Sequence, residues 1–369
     1  MRTYEIAVVH GDGIGPEVCQ AAIGVLKASS VSNALHFVEY PAGANHYLET
    51  GTAFPDETYE GCKRADAILH GAAGLPGVTY PDGTETGIEF GLQLRFRLDL
   101  YANVRPIKLR PGVTSRLRDR KAGDIDYIIL RENTEGLYAA RGNGVNLRDE
   151  VAVDSLVVTR KGIERICRAA FELARKRNGA PGDGKRRVTV CDKANVLRTY
   201  AFFRRVFNEV AGQYPDIEAD YAYADAMTVY LLERPEHYDV IVMENMFGDI
   251  MSDLAAATVG SMGMSPSSEL GDDHGFFQAA HGSAPTIAGK NVANPYGTIL
   301  SAASMLQWLG ERQGDDRLLS AANQIETSVD AAMTASNGLT RDLGGTASTT
   351  GVTQLVIEGL SRTTLSAAE

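Results

Sequence analysis

A short apolar run, Tyr4 to Val9, passes directly into the glycine turn Gly11-Asp12-Gly13-Ile14-Gly15-Pro16. Helical apolar spacing then follows through Val18, Ala22, Val25 and Leu26. A strand, a tight turn and a helix in immediate succession point to an α/β fold, because each element leaves an apolar surface that the other covers. The turn differs from a dinucleotide-binding fingerprint. It reads G-x-G-x-G-P rather than G-x-G-x-x-G, and Pro16 lacks the N–H that would face a phosphate. It is therefore read as a structural loop. Ala67–Leu69, Tyr127–Leu130, Val188–Val190 and Val240–Met243 are further strand candidates, and a second glycine-rich turn runs from Gly71 to Gly77. Ile163 to Arg177 has the pattern of an amphipathic helix, with Ile163, Ile166, Ala170, Phe171 and Ala174 on one side. Asn178 to Lys185 reads as a surface loop and Thr298 to Leu309 as a buried helix.

A chain of 369 residues exceeds the usual single compact domain, so two domains are expected. The 36 Lys+Arg against 47 Asp+Glu leave a formal net charge of −11, which disfavours nucleic acid or an anionic membrane as the main partner. Cys19, Cys62, Cys167 and Cys191 form no C-x-x-C pair and read as reduced structural thiols. With no signal-peptide pattern and no apolar stretch long enough to span a bilayer, a cytoplasmic location is expected.

Asp249 and Asp253 lie four residues apart in F-G-D-I-M-S-D-L, a spacing that places both carboxylates on one helix face. Oxygen ligands of this kind suit Mg²⁺ or Mn²⁺. An isolated pair is more often a solvated acidic face. Asp225, in the apolar segment Y-A-D-A-M, adds a third carboxylate that needs a partner there. Arg95, Arg105 and Arg131 offer planar donor forks that match carboxylates, although an Arg beside a strand end is commonly a surface ion-pair partner. Lys193 in C-D-K-A-N and Tyr138 at the end of R-E-N-T-E-G-L-Y are a candidate base and acid, with a surface lysine and a packed tyrosine as the bland alternatives. His281 opens H-G-S-A-P-T-I-A-G-K, a small-residue loop open to close approach by a phosphate or adenosine, and equally a plain turn.

Seven motifs occur in one order: G-D-G-I-G-P-E from Gly11, L-R…D-L-Y-A-N-V-R-P from Leu94, R-E-N-T-E-G-L-Y from Arg131, D-K-A-N-V from Asp192, D-A-M from Asp225, F-G-D-I-M-S-D-L from Phe247 and H-G-S-A-P from His281. Together they resemble the isocitrate/isopropylmalate dehydrogenase family of β-decarboxylating dehydrogenases, and within it the 3-isopropylmalate, homoisocitrate and tartrate enzymes. The resemblance implies a two-domain α/β fold distinct from the Rossmann fold. Residues 1–100 and 260–369 would form a large cofactor-side domain. Residues 101–259 would form a small domain with the substrate and metal residues and a dimer interface. It further implies that Arg95, Arg105 and Arg131 grip the malate part of the substrate, and that Asp249 and Asp253 bind Mg²⁺ or Mn²⁺. Asp225 and the base Lys193 would reach in from the partner subunit of a homodimer or larger oligomer, and Tyr138 would be the acid. NAD, or NADP, would lie on His281, Gly282, Ser283, Ala284 and Thr286, near Asn294 and Asp342.

Three features depart from the family pattern. Thr286 stands where NAD-preferring relatives carry Asp, and the Lys-Tyr pair of NADP-dependent bacterial isocitrate enzymes is replaced by Thr286-Ile287. NAD is preferred, with NADP possible. Gln278 replaces a Glu found three residues before the loop histidine. The segment Ile88-Glu89-Phe90-Gly91-Leu92-Gln93 lacks the Ser and Asn that bind an extra carboxylate in isocitrate enzymes, and Leu92 and Phe90 suit an apolar substituent. A 3-substituted malate of the 3-isopropylmalate type is therefore expected. Isocitrate, homoisocitrate, tartrate and D-malate are the alternatives, and a non-catalytic regulatory subunit is the alternative of a different class.

Overall fold

The computed structural model describes residues 2–366. The chain divides into two compact units. The first comprises Met1–Leu100, Arg110–Thr114 and Gly260–Glu369; the second comprises Tyr101–Leu109 and Ser115–Val259.

In the first unit the strands run in the order Leu35–Glu39, Tyr4–Gly11, Ala67–Ala72, Gly275–Ala279, Pro266–Leu270. Neighbours are parallel except for the last pair. Tyr4–Gly11 is apolar on both faces because both faces are covered. Ile6 and Val8 pack with Leu69, Phe277 and the helices Gly15–Ala28, Tyr296–Gln313 and Asp316–Thr334. The alternate residues Ala7 and Val9 pack with Ile68, Phe276, Phe90 and Leu94 on the other side. The period of two along the strand divides one apolar run between two cores. Phe90 is therefore a core residue with no exposure, which corrects its expected place beside a substrate substituent.

The glycine turn after Val9 is a structural tie. The buried Asp12 carboxylate accepts the backbone N–H groups of Ala44, Asn45 and Gly74, each at 2.8 Å. A side chain on Gly13, whose φ is 58°, would meet the Ser283 carbonyl oxygen at 2.0 Å, so only glycine fits there.

In the second unit the order is Ala102–Lys108, Asp126–Glu132, Val240–Met243, Arg187–Asp192, Glu218–Tyr223. The first pair is antiparallel and the others are parallel. The amphipathic helix Arg160–Lys176 buries Ile163, Ile166, Cys167, Ala170, Phe171 and Ala174. It begins where the Thr159 side chain accepts the Gly162 N–H at 3.0 Å, an N-cap that satisfies a donor the helix cannot. A separate hairpin, Val145–Leu147 with Val151–Val153, leaves its residues exposed. Among the described residues no helix is long and apolar enough to cross a membrane.

Candidate active site

Asp249 and Asp253 lie on the helix Asn245–Thr258 in the second unit, which Glu244 caps by accepting the Met246 N–H at 3.1 Å. Gly248 brings this helix against Arg131: a Cβ there would lie 2.5 Å from the arginine Cγ. Arg131 sits within the strand Asp126–Glu132, is 1% exposed, and pairs with Asp249. Its other donors reach the Asn245 Oδ1 at 2.9 and 2.7 Å. Arg105, also buried, donates to Ser252 Oγ at 2.5 Å and to Asp249 at 3.3 Å, with Asp253 3.7 Å away. Neither arginine is the exposed ion-pair partner that its place in the sequence suggests. The Tyr138 hydroxyl donates to Asp249 Oδ2 at 3.0 Å, and the Arg131 guanidinium lies 5.3 Å from the centre of the tyrosine ring. One carboxylate thus collects two guanidinium groups and a phenol. Burial pushes the Asp253 carboxyl up, and the neighbouring Asp249 charge adds to this against Arg105.

Lys193 and Asp225 form a separate pair in the same unit, 2.6 Å apart. The Asp225 side chain is 70% exposed, so it is not the apolar-enclosed carboxylate its neighbours in sequence suggest. Its hydrogen bond from Lys193 holds the carboxyl below the usual range. Asp225 does not join Asp249 and Asp253: among the described residues no three His, Cys, Asp or Glu side chains gather as a metal cage within one chain. The exposed apolar residues Val196, Leu197, Val229 and Leu232 lie close in sequence to this pair, and Ile250 lies on the Asp249 helix.

In the first unit, Leu92 and Arg95 share a face of the helix Glu89–Arg97, while Phe90 and Leu94 point into the core. Arg95 is held by Glu269 at 2.7 Å through two donors. The loop carrying His281, Gly282, Ser283, Ala284 and Thr286 is tied down by the Ile14 N–H donating to the Ser283 carbonyl at 2.8 Å and by the Ser283 hydroxyl donating to the Gly74 carbonyl. Asn294 donates to Asp342 at 2.9 Å, and Asp342 also accepts from Ser261 and Thr340. Those two residues therefore brace each other.

A family model described as "Isocitrate/isopropylmalate dehydrogenase" matches residues 5–357. The chain belongs to this family. It is an oxidoreductase with the family's α/β fold. It is 46% identical over 323 residues to the 3-isopropylmalate/3-methylmalate dehydrogenase of Methanocaldococcus jannaschii, covering 87% of this chain and 91% of that protein. A protein of Agrobacterium vitis named as a probable tartrate dehydrogenase/decarboxylase is 38% identical, covering 98% and 99%. Among solved structures, isocitrate dehydrogenase from Methylococcus capsulatus matches with a TM-score of 0.85 at 35% identity, covering 97% of this chain and 99% of that one.

The donor set in this isocitrate/isopropylmalate dehydrogenase family member fits a hard divalent cation. Asp249 and Asp253 are one helical turn apart with side chains 38% and 59% exposed, and Mg²⁺ or Mn²⁺ takes its remaining ligands from water and substrate oxygens. The 281–288 loop fits a polar ligand. His281 Nε2 is buried without a hydrogen-bond partner among the described residues, burial lowers the imidazole below its ordinary pKa, and open space lies over Gly282. Ala284 holds φ at 38°, a left-handed conformation that a non-glycine residue adopts only under constraint. Sequence reading missed Asn245, Ser252 and Glu269. The first two lie four before and three after Asp249 on one helix, so helical spacing from Asp249 would have found them.

Glu132, next to Arg131, is buried and accepts the N–H groups of Thr134 and Glu135 and the Thr134 hydroxyl. Burial outweighs these bonds and pushes its carboxyl up to about 7. Between the ordinary carboxylate range and that value the folded chain keeps a proton that the unfolded chain has released. Its contribution to stability therefore falls as pH rises through this window and levels off above it. Thermal unfolding followed from about pH 5 to about pH 8 is expected to show this decline in the wild type and lose it in Glu132→Gln. The same slope in both would place the titration elsewhere.

Proposed function

We propose that the chain oxidises and decarboxylates a 3-substituted malate of the 3-isopropylmalate type, with NAD, or alternatively NADP, as hydride acceptor and Mg²⁺ or Mn²⁺ as the metal. The observation that carries this reading is the meeting of Arg105, Arg131 and Tyr138 on Asp249. It brings two carboxylate grips, a proton donor and a metal-type oxygen ligand to one point. The metal, held by Asp249 and Asp253 with Asp225 from a partner subunit, supplies Lewis-acid stabilisation of oxyanion charge, and the nicotinamide supplies the hydride acceptor.

Arg95, Arg105 and Arg131 hold the two carboxylates and orient the C2 hydrogen. Lys193 takes the C2 hydroxyl proton as the hydride leaves. The resulting β-keto acid loses its C3 carboxylate as CO₂, and Tyr138 returns a proton to C3 of the enol. His281, Gly282, Ser283, Ala284, Thr286, Asn294 and Asp342 shape the cofactor region, with the last two as its internal brace. The substituent reading rests on Leu92 beside Arg95 on one helix face, and on the printed activity of the M. jannaschii relative.

The assembly that completes the site is a homodimer, or a larger oligomer built from it. Val145, Leu147, Val151 and Val153 expose about half of their surface on a two-stranded hairpin, which by itself buries too little to be stable in water. A cytoplasmic location is supported by four cysteines that are all buried and free.

Activity assayed with 3-isopropylmalate, isocitrate, homoisocitrate, tartrate and D-malate, each with NAD and NADP, is expected to be highest for the first and to release one CO₂ per reduced cofactor. Preference for a tricarboxylate would reassign the substrate. EDTA should abolish turnover and Mn²⁺ restore it; indifference to chelation would remove the metal from the reading.

A further inference from the structure

Glu269 has no solvent exposure, yet it carries a carboxylate. Its Oε2 accepts from Arg95 Nε at 2.7 Å, and its Oε1 accepts from Arg95 Nη2 at 2.7 Å and from Gln278 Nε2 at 2.9 Å. The strands Pro266–Leu270 and Gly275–Ala279 are antiparallel, with Ser267 opposite Gln278 and Glu269 opposite Phe276. Positions 269 and 278 are therefore diagonal neighbours on one face. A two-point pair fixes the plane of a guanidinium as well as its place, and a buried arginine with no such partner is costly and samples several rotamers. The neighbour of Glu269 matters equally. A carboxylate at 278 would stand at hydrogen-bond distance from the first, where two cannot both ionise, whereas the Gln278 amide donates to it.

We infer that Glu269 is a positioning residue for the reaction, setting the orientation with which Arg95 meets a substrate carboxylate, with Gln278 as the neutral partner that donates to Glu269. The inference rests on the reading of Arg95 as a substrate grip. Glu269 itself touches no substrate and acts through Arg95. It also gives the departure at 278 a physical sense: a glutamate there would stand beside Glu269, where two acids would compete, whereas the Gln278 amide donates to it.

The test compares the wild type, Glu269→Gln and the exchange Glu269→Gln/Gln278→Glu. Each is measured for KM and kcat on the best acid of the panel, and for calorimetric Kd of D-malate with Mg²⁺ present. Glu269→Gln is expected to raise the hydroxy-acid KM and the D-malate Kd by about tenfold or more, with the dinucleotide KM unchanged. The exchanged pair, which restores a carboxylate near Arg95, is expected to recover both to within about threefold of wild type. A folded single variant with wild-type Kd overturns the inference. If the single variant does not fold, the exchanged pair decides: recovery supports the inference, and a Kd raised by about tenfold or more overturns it. Wild-type chain that binds D-malate but turns over no acid of the panel removes the proposed reaction, while the Kd comparison still decides on Glu269. Wild-type chain that neither binds nor turns over any acid removes both.

Discussion

Lys193→Met is expected to lower turnover by about 10²- to 10⁴-fold, because the variant keeps the side-chain length but has no group to take the substrate proton. Asp249→Asn is expected to be similarly inactive, since it removes a charge on which Arg105, Arg131 and Tyr138 all converge. Mixing the two inactive variants distinguishes a site shared between subunits from one built in a single chain. In a two-fold dimer, half of an equal mixture pairs unlike chains, and each such dimer holds one site with both residues intact. Refolding the variants together should therefore recover about a quarter of the wild-type rate. No recovery from a mixture shown to exchange subunits would place Lys193 and Asp249 in one site of one chain. The geometry motivates the experiment: Asp225 stays with Lys193, and no three carboxylate, imidazole or thiol side chains gather among the described residues.

Tyr138→Phe is expected to lower steady-state turnover by about 10²- to 10⁴-fold for a different reason, and the early time course separates the two. The variant loses the hydroxyl that donates to Asp249 at 3.0 Å but keeps the ring beside the Arg131 guanidinium, so it is expected to keep the wild-type fold. If Tyr138 acts after CO₂ has left, hydride transfer still occurs once per site. A rapid burst of reduced cofactor, about one equivalent per site, then precedes the slow phase. Lys193→Met should show no burst, because its proton must leave as the hydride does. A missing burst in Tyr138→Phe would move the tyrosine to the oxidation step. Near-wild-type turnover would remove it from the chemistry.

Local pattern revealed much of the scaffold. Tyr4–Gly11, Arg187–Asp192 and Val240–Met243 are buried on both faces, so their apolar runs announce them. Leu35–Glu39 and Glu218–Tyr223 are edge strands with polar faces, and Pro266–Leu270 is built of Pro, Ser, Ser, Glu and Leu. Such runs carry no continuous apolar signature, and their pairing comes from neighbours distant in sequence. The same division holds at the site. The i, i+4 spacing of Asp249 and Asp253 is a local property, and it appears on the helix as the spacing requires. Phe90 and Leu92 read alike in sequence, yet one lies in the core and the other beside Arg95, because only the packed helix distinguishes its two faces.

The opening turn shows where sequence suffices. Its strand, glycines and proline determined an α/β beginning and argued against a phosphate cradle, because backbone freedom and the missing N–H are properties of the residues themselves. Only the tertiary structure decided what that turn is for. Asp12 collects N–H groups from positions 44, 45 and 74, and the turn anchors the loop after His281. Arg95 and Glu269, 174 positions apart, were likewise joined only by folding. A side-chain pair at that separation leaves no periodicity to read, and the physical demand that a buried charge find a partner is met in space rather than along the chain.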